Sequence, residues 1–141
     1  MKLTETDDSW HLQFNDGRVT YIHIDFRLCL VITGKSERAA VTIETPCRLK
    51  RAEGEVWLTP SQTSSLAPIL PLFNAKVIGV VVQKTGQLKV EFGDGCILEV
   101  GPDDSYEAWQ LGCSPIDVML VCSPGGNVSF FEQAEHPTKG T

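Results

Sequence analysis

The sequence predicts an α+β fold that is predominantly antiparallel β: two similar β-meander halves joined by one short helix. Three observations carry this. From Ile22 to Ile32 the even positions Ile22, Ile24, Phe26, Leu28, Leu30 and Ile32 are all apolar, while Tyr21, His23, Asp25 and Arg27 alternate with them; period two marks a strand with one buried face. The pattern then recurs. Phe14-Asn15 opens a run ending in Leu28-x-Leu30-x-Ile32, and Phe73-Asn74 opens a run ending in Leu88-x-Val90-x-Phe92, with Phe73 59 residues after Phe14 and Leu88 60 residues after Leu28. Val41-x-Ile43 is answered by Leu98-x-Val100, and Pro46 by Pro102. Finally, turn residues punctuate the runs, most clearly at Asp94-Gly95 and Pro124-Gly125-Gly126.

In chain order, residues 1–8 are polar and acidic and are expected to be a flexible terminus, with the folded domain spanning 9–131. Trp10 to Phe14 reads as a first strand, closed by an Asn15-Asp16-Gly17 turn, since Asp and Gly tolerate positive φ. Periodicity alone would make 19–32 one strand. The recurrence instead places a bend near Asp25-Phe26-Arg27, because the corresponding place in the second run holds Lys84-Thr85-Gly86-Gln87 and strands above about ten residues are rare. After the polar loop Gly34–Arg38 come strands over Ala40–Glu44 and around Trp57. These complete a first half of about 10–59.

Residues 60–72 form the helical linker. Leu66, Ile69, Leu70 and Phe73 recur at helical spacing after several Ser and Thr N-cap candidates, although Pro68 and Pro71 restrict it to one short helix or two single turns. The second half, about 73–131, holds strands over 78–83, 88–92 and 96–100, the last two flanking Gly93-Asp94-Gly95. A strand at Tyr106–Leu111 follows, with one wet face, then a buried strand at Val118–Cys122. Ser123-Pro124-Gly125-Gly126 reads as a type II turn before the last strand, Asn127–Phe131. The segment 132–141 lacks apolar clusters and is expected to be flexible.

Composition bounds the function. A net charge of −6 repels phosphate backbones, and the one basic stripe, Arg48-x-Lys50-Arg51, is followed by Glu53 and Glu55; nucleic acid is not an expected partner. The longest apolar run, Val77 to Val82, is only a strand in length, so no membrane span is expected, and the polar start has no signal-type apolar core. Cys29, Cys47, Cys96, Cys113 and Cys122 are odd in number and contain no C-x-x-C pair. They read as structural thiols of a cytoplasmic protein, and no metal site is expected.

No catalytic residue emerges. His23-x-Asp25 places an imidazole and a carboxylate on one strand face, but no nucleophile accompanies them in sequence. Gly93-x-Gly95 is followed by a strand, whereas a phosphate cradle needs a helix N-terminus. Asp94, Asp103, Asp104 and Glu107 lack calcium-loop spacing and fall at turns. Trp57 and Trp109 read as core. No cofactor is expected, and the chain reads as non-enzymatic.

The segments Gly86-Gln87-Leu88-Lys89-Val90-Glu91-Phe92, Asp94-Gly95, Tyr106-Glu107-Ala108-Trp109 and Val121-Cys122-x-Pro124-Gly125-Gly126 resemble a family of small uncharacterised bacterial proteins. That family is common in actinobacteria and carries a YEAW segment and a terminal PGG turn. Val19-x-x-Ile22-x-Ile24-Asp25 and Leu28-x-Leu30 are similar to its opening, so the resemblance covers roughly 10–131, departing at Phe130-Phe131, where a tryptophan is expected. Proteins of this type resemble the immunity proteins of bacterial toxin systems. The resemblance and the acidic charge together imply a stoichiometric protein-binding module, an immunity-type inhibitor of a basic partner. The expected contact surface is Asp103, Asp104, Tyr106 and Glu107. The alternative is a small-molecule ligand-binding or sensing domain with a cleft lined by Tyr21, His23 and Trp109; a homodimer through strand edges is compatible with either.

Overall fold

Alternation of apolar and polar residues resolves, in the computed structural model, into twelve strands within the described residues 1–132. They are β1 (Lys2–Glu5), β2 (Ser9–Ile24), β3 (Leu28–Gly34), β4 (Glu37–Ile43), β5 (Cys47–Arg51), β6 (Gly54–Leu58), β7 (Lys76–Gln83), β8 (Leu88–Phe92), β9 (Ile97–Val100), β10 (Trp109–Ser114), β11 (Val118–Cys122) and β12 (Val128–Glu132). A 3₁₀ helix, Thr63–Leu72, lies between β6 and β7. Its tighter winding follows from Pro68 and Pro71, which have no N–H for the α-helical ladder.

All strands join one antiparallel sheet in the order β12-β11-β10-β4-β3-β2-β7-β8-β9-β5-β6, with β1 beside the N-terminal part of β2. Strands β2 and β7 adjoin at its centre, and meanders β2-β3-β4 and β7-β8-β9 run outward from them. The hairpins that follow the meanders are exchanged. β5-β6 follows β4 in the chain but pairs with β9, and β10-β11 follows β9 but pairs with β4. Neither half expected from the sequence therefore closes by itself. The two meanders also share geometry: a register shift falls between Val19 and Tyr21 in one and between Val77 and Gly79 in the other. Each hairpin meets its meander in the same register, Gln110 facing Thr42 and Arg48 facing Glu99.

The sheet curls so that its inner face encloses a single core. Rows such as Leu30, Val41, Leu111 and Leu120 are fully buried, and burying a large aliphatic side chain is worth about 1.5–3 kcal/mol. Leu66, Ile69 and Leu72 of the 3₁₀ helix add to this core. Trp10 stacks on Phe130 at 5.8 Å, bringing the terminal strand β12 against the N-terminal half of β2. Trp109 is completely buried and donates from Nε1 to the Gly86 carbonyl at 2.9 Å. Gly86 has φ +112°, and a Cβ there would lie 2.9 Å from the Gly126 backbone, so the β7–β8 and β11–β12 turns touch through two glycines.

Several local expectations are corrected. Residues Lys2–Glu5 pair with Gln13–Trp10 as a strand, held partly by the buried Glu37 carboxylate, which takes the Met1 ammonium at 2.5 Å and the Asn15 N–H at 2.7 Å. Asn15-Asp16-Gly17 is no hairpin turn. It is a register shift inside the 16-residue β2, with Asp16 at φ 63°. Strand β2 can be that long because its two parts serve different neighbours, β1 and then β3 along one edge. The bend at Asp25–Arg27 is present, with Phe26 at φ 66°, and so is the turn in which Gly126 N–H reaches the Ser123 carbonyl with Gly125 at φ 88°. The strand expected from Tyr106 begins only at Trp109. From residue 133 onward the expected flexible tail lies outside the described residues.

Two substitutions measure the turn junction. Trp109→Phe leaves the buried Gly86 carbonyl with only the weak Cys122 thiol as donor, and is expected to cost about 1–3 kcal/mol in denaturant unfolding. Gly86→Ala, strained by both φ and contact, should lose more than about 1 kcal/mol.

Candidate functional site

The loop expected to meet a partner is built around one carboxylate. Asp103 Oδ1 accepts the Ser105 and Tyr106 N–H groups at 2.8 and 3.1 Å, and its Oδ2 accepts the Thr45 hydroxyl at 3.1 Å. The backbone hydrogen bond from Ser105, with help from those of Thr45 and Tyr106, outweighs the opposing effect of burial and holds its carboxyl below the usual aspartate range. Asp103 thus shapes the crossover from β9 to β10. Glu107 accepts a hydrogen bond from the Gln110 amide. Asp104 and Tyr106 are left projecting, with Tyr106 68% exposed. Of the four residues, two hold the loop and two are free to meet a partner.

The cleft expected between Tyr21, His23 and Trp109 does not form. Tyr21 and His23 stack at 4.8 Å on the outer face of the sheet, while Trp109 lies in the core on the inner face. Strand parity separates them, since successive residues point to opposite faces. Asp25 pairs with Arg27 at 2.9 Å, and that hydrogen bond is the main reason its carboxyl lies below the ordinary value. Cys29 sits opposite His23 and its sulfur accepts the Thr42 hydroxyl at 3.5 Å. Among the described residues no group of His, Cys, Asp and Glu side chains is placed to hold a metal ion.

A different surface stands out once the hairpins are exchanged. Tyr21, Val31, Ala40, Gly112, Met119 and Phe131 face one another in a row across β2, β3, β4, β10, β11 and β12. The next outer row is His23, Cys29, Thr42, Gln110, Val121 and Ser129. Neither row contains an Asp, Glu, Lys or Arg side chain. Tyr21, Met119 and Phe131 are 56, 42 and 55% exposed, and between them Ala40 and Gly112 floor a shallow trough beside Arg38. Gly112 needs no special backbone there, and a Cβ would meet only the end of Met119 at 3.5 Å. Its missing side chain lowers the floor and serves no visible packing need.

The matching rows on the other meander are different. They read Gly79, Glu91, Ile97, Lys50 and Glu55, and Val81, Lys89, Glu99, Arg48 and Trp57. Here Glu91, Glu55 and Glu99 balance Lys50, Lys89 and Arg48. Glu99 takes Arg48 at 2.7 Å, Lys50 at 3.3 Å and Lys89 at 3.6 Å, and Arg48 also reaches Glu55 at 3.3 Å. Trp57, read from sequence as core, is 61% exposed with the Arg48 guanidinium 5.6 Å from its ring centre. No periodicity distinguishes a tryptophan on the wet face of an edge hairpin from one on the dry face; only the count from Leu58 and Val56 does.

A curled antiparallel sheet with one short helix defines the class of protein: a predominantly antiparallel β-rich fold built on a single sheet. The chain belongs to the DUF6188 family, a family of unknown function, whose pattern matches residues 10–132. Comparison with curated proteins and with solved structures returns no match. No helix among the described residues is long and apolar enough to cross a membrane.

The ion-pair ladder has a definite pH signature. Burial disfavours the charged form of Glu99, but hydrogen bonds and charges from Lys50, Arg48 and Lys89 outweigh it and hold the carboxyl below the ordinary glutamate value. A folded-state value below the unfolded one stabilises the fold above about pH 4.3 and loses that effect as pH falls through the folded value. Glu99→Gln should therefore lower the melting temperature at pH 7, at a cost of about 1 kcal/mol. The gap from the parent should close as the buffer is taken below pH about 4.

Proposed function

We propose that this protein is a non-enzymatic, stoichiometric protein-binding module, and that its partner docks on the uncharged outer face formed by β2, β3, β4, β10, β11 and β12. One observation carries the reading. Two meanders of matching geometry present matching outer rows, one charged and internally paired as a solvated surface should be, the other free of charge and edged by exposed Tyr21, Met119 and Phe131. Large aromatic and Met side chains on an uncharged patch are the composition of an interface core. The matching registers support descent of the two meanders from one duplicated unit whose copies have since diverged in surface chemistry.

The immunity-type inhibitor is the particular form we favour. The net charge of −6 steers a basic partner toward the chain, and Asp104 and Tyr106 on the projecting loop supply a polar rim. The five free cysteines fit a reducing, cytoplasmic setting.

Capture from the native host distinguishes the surfaces. Ala40→Glu puts a charge in the trough floor without touching the core, and should weaken capture of the wild-type partner at least about tenfold while the melting temperature stays nearly unchanged. Asp104→Lys should slow association and reduce its salt dependence, with a smaller loss of affinity. Capture by Ala40→Glu equal to the parent's would rule out this face. Conversion of a parent dimer to a monomer by the same variant would mean that the face seats a second copy, and would overturn the inhibitor reading.

A further inference from the structure

A second, separate feature lies at the end of the charged ladder, where the β5–β6 hairpin meets β8, β9 and the crossover segments at Pro46 and Pro102. A pocket of about 280 Å³ opens there, lined by Arg48, Trp57, Gln87, Lys89 and Glu99 with the two prolines as apolar walls. From it we infer that this is a binding site for a small anion carrying a planar ring, a chemistry shared by nucleoside monophosphates and aromatic carboxylates.

Three independent properties point to that ligand. Across the whole outer face the charges balance, but the side chains that line the pocket do not: Arg48 and Lys89 face it with Glu99, while Glu55 holds Arg48 from outside the lining, on a molecule whose net charge is −6. A local positive excess inside a concave site on an acidic protein selects anions, because the surrounding negative field repels them everywhere else. Trp57 is the second property. It holds its indole in solvent on an edge hairpin, next to the pocket, where the matching position on the other hairpin is the smaller Val121. An exposed indole costs hydrophobic free energy with no packing return, and beside a guanidinium it is a stacking platform for a flat ring.

The walls are the third property. Pro46 and Pro102 stand at matching places in the two crossovers, both rigid and without N–H groups, so a ring in the pocket would also meet their apolar surface. Gln87, exposed at the mouth, offers an amide to ring or exocyclic polar atoms. Glu99 is held in place by Lys50 from outside the pocket, which leaves Lys89, at 3.6 Å the loosest of its three partners, available to turn toward an incoming carboxylate or phosphate.

The test is a titration of the full-length, nitrogen-15-labelled chain with adenosine monophosphate, with 4-hydroxybenzoate and with inorganic phosphate, read by amide and indole shifts. Saturable shifts of the Trp57 indole N–H and the Gln87, Lys89 and Gly101 amides with either ring-bearing anion support the site, and which of the two binds names the source. Trp57→Ala, a surface change whose fold the remaining spectrum verifies, should weaken that binding roughly tenfold or more, and added salt should weaken it further. The inference is overturned if neither ring-bearing anion saturates at millimolar concentration, if phosphate alone binds as tightly, or if Trp57→Ala binds like the parent.

Discussion

The exchange of hairpins makes the rest of the structure possible, and it depends on a buried hydrogen bond between Trp109 and the Gly86 carbonyl. Trp109 is the first residue of β10, the strand that leaves its own meander to pair with β4. Its indole reaches back to the β7–β8 turn, so the departing hairpin stays anchored to the meander it left. Cys122, paired with Trp109 across the hairpin, sends its thiol to the same carbonyl at 3.5 Å. A buried carbonyl with these donors is satisfied; the crossover itself is tied down by Thr45–Asp103 and by backbone bonds from Glu44 to Ala108, Gly125 to Asp103 and Ala108 to Cys122. The two glycines let the turns approach closely enough for this bond to form.

Exchange also decides what the surfaces are made of. Had each hairpin stayed with its own meander, residues of 10–59 would have built one outer face and residues of 73–131 the other. Crossing over puts Gln110, Gly112 and Met119 beside Thr42 and Ala40, and Arg48 and Lys50 beside Glu99. The ladder in particular needs both parts of the chain. Arg48 would have no Glu99, and Lys89 no neighbour beyond it, so the electrostatic character of each face is a consequence of topology.

Some of this was legible in the sequence and some could not be. Asp94-Gly95, Pro124-Gly125-Gly126 and the bend at Asp25–Arg27 were readable, because turn geometry is set by the residues at the turn itself. Asn15-Asp16-Gly17 has the same chemistry yet serves as an irregularity within β2, since positive φ suits a bulge as well as a hairpin. Lys2–Glu5 reads as too polar to be ordered; it is an added strand whose order comes from β2, from Glu37 at Met1, and from Leu3 against the core and Glu5 against Lys84. The Tyr21, His23 and Trp109 cleft failed because two of its members share strand parity and the third belongs to a strand whose buried face begins at its first residue.

The uncharged face illustrates the limit most clearly. Ala40, Thr42, Gly112, Gln110 and Val121 are unremarkable in sequence, each alternating with a core residue as any half-wet strand does. Their significance is collective and appears only when six strands from both parts of the chain are laid side by side. Two adjoining rows without charge on so wide a sheet, with Arg38 only at their border, are an aggregation hazard that proteins ordinarily break with lysine or glutamate, and the matching rows of this same molecule are broken in that way by six charged side chains. The fold tolerates charge at those positions, as the ladder demonstrates. Its absence from the two matching rows on the other meander is the feature on which the proposed contact with a partner rests.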